Sequence, residues 1–376
     1  MIRSGIYIHI PFCKRKCYYC DFNSYANMEE SFEPFKEAIM KEIRNRKDEL
    51  KDIFTSIYIG GGTPNVLPPF YIENILDEIY KYYDISNDTE ISIELNPGLI
   101  DDEKLKTYKR IGINRISIGL QAWQDKLLKK IGRIHTIHDF IENYDMATKY
   151  FDNINIDIMY ALPDQIFDDF KETLSNVVSL KPTHISCYGL ILEEGTVFYK
   201  LYEENKIKPA DDEFEMMMYH YGIEFLQKNG YKHYEISNYA IPGYECRHNT
   251  LYWRDLQYIG FGPGAYSFVD NRRCGNAKDI KKYIEMINRT GYAIEDIDVL
   301  DEKDKMSEYM FLGLRMMDGV YDRDFKIRFG KSMFSIFKNA IDKNIELNLL
   351  IREGDNIKLT QKGIDVSNNV FEDFLF

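Results

Sequence analysis

Six short runs rich in β-branched and aromatic residues recur along the first half of the chain: GIYIHI (5–10), TSIYIG (55–60), EISIEL (90–95), NRISIGL (114–120), NINIDIMY (153–160) and HISCYGL (184–190). Charged, amphipathic stretches separate them, at 33–54, 68–83, 101–112, 137–151 and 166–180, with another near 211–229. Acidic residues open several of these, as helix starts favour. Strand and helix alternation of this kind predicts an α/β fold, a parallel sheet covered by helices. The pattern reads as a partial (β/α)6, TIM-like barrel over 1–229, although spacing alone also allows an open sheet.

Two further regimes follow. Residues 230–300 are rich in Tyr, Gly and Asn, and read as an elaboration at the barrel mouth. Residues 301–376 combine helical patterns with LLIREGDNIKLTQKG, a strand, a Glu-Gly-Asp turn and a strand. Helices plus a hairpin predict a small winged-helix-like α+β domain. Such units often bind DNA, but this one carries 12 basic and 14 acidic side chains. A structural or partner-docking role fits better.

Composition narrows the classes. The 376 residues carry a formal charge of −13, which argues against nonspecific nucleic-acid binding. Neither a secretory signal pattern nor an apolar run approaching 18 residues is present, so a cytoplasmic protein with reduced thiols is expected. Of six cysteines, Cys187, Cys246 and Cys274 are isolated. The other three crowd into HIPFCKRKCYYCDF as Cys13, Cys17 and Cys20, just past the first predicted strand. Loops at strand C-terminal ends carry the chemistry of barrels. Thiolates suit zinc and iron–sulfur centres. A [4Fe–4S] cubane held by three thiolates keeps one iron open to an external ligand. The plain alternatives are a zinc site completed by His9 and three uncoordinated thiols.

C-x3-C-x2-C with Tyr19 before its third cysteine resembles the radical S-adenosylmethionine (SAM) superfamily. The resemblance implies that SAM chelates the open iron. It also assigns GGGTP, a mere tight turn if taken alone, to the amino end of SAM through Gly61, Gly62 and Thr63. Glu94 in IELNPG, Gln121 in SIGLQ, Arg133 in KKIGRIH and Asp157 in IDIMYALP are likewise implied SAM contacts, as is Tyr7. Gly189 and Ala265–Tyr266 match more weakly.

YIHIPFC, CYYCDF, GGGTP, IELNPG, SIGLQ, DIMYALPDQ and the C-terminal EYMFLGLR together resemble the coproporphyrinogen dehydrogenase-like (HemN-like) branch, over nearly the whole chain. Two functions compete within it. One is HemW-type haem chaperoning, in which haem passes to acceptor apoproteins such as respiratory cytochromes. It carries the implication of homodimerisation and only peripheral contact with membranes. The other is oxygen-independent coproporphyrinogen III dehydrogenation, an oxidative decarboxylation by SAM-derived radical chemistry. The dehydrogenases resemble C-x3-C-x2-C-x-C with a longer N-terminal arm. Here Phe22 stands at the extra cysteine's place and 12 residues precede Cys13. HNTLYW matches the H-N-x-x-Y-W motif of the HemW type. It makes His248 an expected haem ligand, Asn249 its orienting amide, and Tyr252 and Trp253 an aromatic wall. A buried structural His248 is the bland reading of the same residues. The remaining histidines (His9, His135, His138, His184, His220 and His233) and Met216–Met218 read as structural.

Overall fold

A computed structural model describes residues 3–376. Six parallel strands lie side by side in chain order: β1 (Arg3–Ile10), β2 (Ile53–Gly61), β3 (Asp84–Leu95), β4 (Arg115–Gln121), β5 (Ile154–Tyr160) and β6 (His184–Gly189). Between them run α1 (Phe32–Asn45), α2 (Pro69–Tyr82), α3 (Asp102–Arg110), α4 (Asp125–Lys130), α5 (Ile137–Ala147) and α6 (Phe167–Ser179). After β6 come α7 (Val197–Glu203) and α8 (Asp212–Lys228). One expected helix is shorter than its amphipathic pattern. α1 stops at Asn45, because Ile53 and Phe54 are drawn into β2 and pair with Asp84 and Ile85.

The strands are two-faced. Ile6, Ile8, Ile57, Ile59, Ile93, Ile116, Ile118, Ile156, Ile158 and Ile185 share one buried core with Phe35, Ile39, Ile72, Leu76, Phe140 and Leu174 of the covering helices. Each such side chain contributes about 1.5–3 kcal/mol by leaving water. The alternate positions carry Tyr7, His9, Tyr58, Glu94, Arg115, Ser117, Asn155, Asp157 and Ser186. Parallel strands buried on both faces usually read as continuous apolar runs. Here only the helix-facing side is apolar, and the inner side is left for polar groups.

Residues 230–300 touch the mouth, where the Pro263 and Lys278 carbonyls accept from Asn23 Nδ2 on the cysteine loop. They extend the sheet at both edges. The hairpin β7 (Lys232–Glu235) and β8 (Asn238–Ala240) pairs with β6. At the other edge β9 (Tyr258–Phe261) lies parallel to β1, and β10 (Tyr266–Val269), β11 (Arg272–Asn276) and β12 (Ile294–Val299) follow antiparallel, giving a 12-stranded sheet. The short helix α9 (Arg247–Trp253) packs against the N-terminal ends of β1 and β2. There is little room to spare: a Cβ on Gly5 would lie 3.0 Å from Leu251 and 3.2 Å from His248. That end is the floor, opposite the cysteine loop.

A second core, from Met306 to Phe374, belongs to the C-terminal unit. It is built on α11 (Glu302–Gly313), after α10 (Ile280–Thr290), and on an antiparallel sheet of β13 (Val320–Tyr321), β14 (Leu350–Glu353) and β15 (Asn356–Leu359). The Glu-Gly-Asp turn forms the wing as the sequence predicts. Arg273 grips Glu308 bidentately at 2.6 and 2.8 Å, tying this unit to the sheet extension.

The extension at β9–β11 is fastened by a buried ion pair. Glu42 and Arg46, one turn apart at the end of α1, meet at 3.0 Å. Arg46 also donates to Gly260 O and Ser267 Oγ, while Glu42 accepts from Gly262 N, Asn276 Nδ2 and Tyr283 Oη. Removing one partner strands the other charge in the interior. Glu42→Leu is therefore expected to cost about 3–5 kcal/mol, seen as a lower urea midpoint. An unchanged midpoint would show that the network contributes nothing.

Candidate cluster and cofactor site

The C-terminal ends of β1 to β6 open on a cavity of about 470 Å³. Cys13, Cys17 and Cys20 line it from the loop after β1. Pro11 breaks the β1 ladder, and Phe12–Cys13 then forms a short ribbon with Tyr25–Ala26. Thr63 Oγ1 donates to Cys13 Sγ at 3.4 Å, and Arg133 Nη1 donates to Cys17 Sγ at 3.7 Å. Burial pushes the Cys20 thiol up to about 11 and raises that of Cys13 as well. A metal in the proton's place removes that penalty, since a coordinated thiol is deprotonated.

Three thiols on one loop are the donor type that iron–sulfur clusters take. A single zinc ion draws its sulfurs to about 3.8 Å apart, as bonds near 2.3 Å require. Among the described residues no three His, Cys, Asp or Glu side chains converge to hold one ion. His9 offers no fourth ligand either. Its Nδ1 meets Tyr7 Oη at 3.0 Å and its Nε2 meets Asn23 O at 2.7 Å.

The glycine turn after β2 is packed hard against the chain entering the cysteine loop. Gly62 N donates to Ile10 O at 2.8 Å and Thr63 N to Phe12 O at 2.7 Å. A Cβ on Gly62 would lie 2.6 Å from Phe12 O, and one on Gly61 2.6 Å from the His9 ring. Gly61 also holds φ +111°, which only glycine adopts without strain. Its N–H goes to Glu94 Oε2 at 3.1 Å. With these N–H groups committed, the turn meets a ligand with acceptor oxygens, which suits an ammonium group.

Polar side chains continue the lining. Glu94 accepts from Tyr58 Oη at 2.8 Å, and burial, with Asp157 nearby, lifts its carboxyl to about 7. Asp157 accepts from Ser117 Oγ at 2.9 Å and Asn155 Nδ2 at 2.8 Å, and burial raises its pKa. Arg133 donates to Gly119 O at 2.5 Å and to Asn96 Oδ1. Burial opposes its charge, but Cys17 and Tyr19 beside it keep it protonated. Gln121 reaches the cavity from a bulge at the end of β4, with φ +74°. Tyr19, Gly62 and Gly189 line it too.

Not every expected residue gathers here. Tyr7 is absent from the lining and stacks inside the barrel on Tyr58 and His248, with ring centroids 6.4 and 6.3 Å away. Ala265 and Tyr266 lie at the turn into β10, also away from the cavity. His248, the expected haem ligand, lies inside the barrel. The side chain is 1% exposed, and Nδ1 and Nε2 are each 2.9 Å from Ser56 Oγ and Tyr252 Oη. Burial drops its pKa to about 3, so the ring is neutral. Tyr252 takes part in that bond, and Trp253 lies under Arg315, 4.5 Å from the guanidinium. Only Asn249 of the motif faces the cavity. Sequence reasoning passed over Tyr58, Asn96, Arg115, Ser117, Asn155 and Ser186, which all line it. The signal was present: a polar residue at every second strand position.

Residues 7–177 match the Radical SAM superfamily and 300–366 the HemN C-terminal domain. The chain is 37% identical to the heme chaperone HemW of Lactococcus lactis, over 99% of this chain and 97% of that one. It belongs to the HemW family of radical SAM proteins. The HemW relative in Bacillus subtilis is 36% identical over 98% of both chains, and that in Escherichia coli 31% identical over 99% and 98%. The solved structure of Escherichia coli coproporphyrinogen III oxidase (HemN), a radical SAM enzyme, matches with TM-score 0.86 over 99% of this chain and 90% of that chain. At 22% identity it establishes the shared fold. Membership of the HemW family implies a [4Fe–4S] cluster and SAM. The three thiols and the acceptor-lined glycine turn are the groups suited to hold them.

Glu94 ionises as pH rises through about 7, and its charge favours a cationic ligand only above that point. SAM affinity of the reconstituted protein is expected to rise several-fold from pH 6 to pH 8, and Glu94→Gln to flatten the profile. Equilibrium dialysis at three pH values checks this, and an unchanged slope in the variant would assign the effect elsewhere.

Proposed function

We propose that this chain is a haem chaperone that binds a [4Fe–4S] cluster through Cys13, Cys17 and Cys20, takes SAM beside it, and passes haem to acceptor haem proteins. The observation that carries this is near-full-length similarity, at 31–37% identity, to the heme chaperone HemW of three bacteria. Phe22, in place of a further cysteine, agrees with it. Tyr7, Tyr19, Gly61, Gly62, Thr63, Glu94, Gln121, Arg133 and Asp157 are the SAM contacts proposed by family resemblance; Tyr7 would have to turn from His9 to serve. When bound, the cluster and SAM together supply one-electron chemistry. Around them, Thr63 and Arg133 hold the cysteine loop, and Glu94 and Asp157 offer acceptors to hydroxyl or amino groups.

The cavity mouth supports a flat apolar anion. Phe22, Tyr188 and Ile191 line it and are 60, 39 and 68% exposed. Arg15 and Lys16 stand beside them, within reach of carboxylates. Among the described residues no helix is long and apolar enough to cross a membrane. A cytoplasmic chaperone that assembles as a homodimer and meets membrane cytochromes only peripherally is the working picture.

The test is haem titration followed by transfer to an apo-haem protein. A Soret shift and recovery of acceptor activity are expected; turnover of coproporphyrinogen III with SAM and a reductant would overturn the chaperone reading in favour of the dehydrogenase. His248→Ala is expected to keep the Soret shift and to lose about 1–3 kcal/mol of stability, because Ser56 and Tyr252 lose a buried partner. Loss of the shift in a protein of unchanged melting temperature would restore His248 as a ligand.

A further inference from the structure

The two ends of the 12-stranded sheet are finished differently. At the β7 end the C-terminal unit closes the edge: Glu235 bridges to Met316, and Met317 N donates to Tyr234 O at 3.0 Å. At the other end β12 pairs with β11 on one side, and among the described residues no strand pairs with its outer side. An edge of this kind presents alternate unpaired N–H and C=O groups, a template for another chain. Its side chains are open as well. Every residue from Glu295 to Val299 is exposed, with Ile297 at 61% and Val299 at 65%. These two point to one face, beside Cys274 and Arg272 of β11, while Asp296 and Asp298 point to the other.

Charge selects what fits. Glu295 is held by Lys282 of α10, and Asp296 meets only the Tyr266 hydroxyl, at 3.5 Å. Asp298 lies opposite Arg273, but that guanidinium is given to Glu308. Among the described residues, two carboxylates on one face thus have no cation. A second copy is a poor occupant. Antiparallel pairing about a two-fold centred on Ile297 sets Asp296 of each copy opposite Asp298 of the other, and like charges directly opposite destabilise. A strand with Lys or Arg opposite Asp296 and Asp298, and β-branched residues beside Ile297 and Val299, satisfies both faces. Such strand addition takes affinity from main-chain hydrogen bonds and specificity from alternate side chains. The edge also starts close to the cysteine loop. Ala293, just before β12, accepts from Ala277 N at 2.8 Å, and the carbonyl of Lys278 accepts from Asn23 Nδ2 at 3.0 Å.

We propose that β12 is a docking edge at which an extended basic segment of a partner protein adds as a further strand, with Lys or Arg alternating with β-branched residues. Nothing at this edge depends on haem being the cargo. The test is fluorescence anisotropy of a labelled peptide of alternating lysine and valine against the cluster-reconstituted full chain. It is expected to bind about tenfold more tightly than a glutamate–valine peptide, and the Asp296→Lys/Asp298→Lys variant to reverse that order. The same lysine–valine peptide N-methylated at alternate residues keeps its charge but cannot pair, and should not bind. Hydrogen exchange should slow across 294–299 when the peptide is added, which locates the edge even if the variant fails to fold. Equal binding of the N-methylated peptide would reduce the effect to charge attraction and overturn the docking edge. No binding of the lysine–valine peptide, protection confined to other segments, or an unchanged preference in the double variant would overturn it too. So would a dimer that Ile297→Lys dissociates, since the edge would then belong to a second copy.

Discussion

The contact on which the site depends is the close approach between the glycine turn after β2 and the chain leaving β1. Two backbone hydrogen bonds, Gly62 N to Ile10 O and Thr63 N to Phe12 O, clamp the entrance of the cysteine loop to the barrel rim. No side chain fits between, since a Cβ at Gly61 or Gly62 would collide with His9 or with Phe12 O. The three thiols are thus positioned by a rigid sheet, although they sit on a loop. Thr63 extends the same clamp to the Cys13 sulfur.

Much of this was legible in the sequence because the relevant patterns are local. The strand runs and their helices follow from periodicity, and C-x3-C-x2-C and GGGTP are contiguous. What depends on tertiary topology was less legible. HNTLYW carries no mark of which end of the barrel it reaches, so His248 was expected at an open site. Packing sets it between Gly5 and Ser56, with both ring nitrogens hydrogen-bonded. Residues 230–300 likewise look like a cap by composition, but their strands pair with the exposed edges of β1 and β6.

The inner polar residues were legible in principle. Arg115, Ser117 and Gln121 alternate with Ile116, Ile118 and Leu120, and the same beat runs through β3, β5 and β6. Parallel strands rarely show it unless one face is something other than core. Reading the beat as a cavity lining would have found Tyr58, Asn155 and Arg115 without any family knowledge.

This division of labour within each strand has an evolutionary consequence. Stability resides in the isoleucines beneath the helices, whereas ligand chemistry resides in their immediate neighbours in sequence. Substitutions of the second kind are insulated from the first, so selection can rewrite what the chamber recognises while the scaffold persists. A backbone that superposes at TM-score 0.86 where only 22% of residues are identical shows how far the scaffold alone is shared.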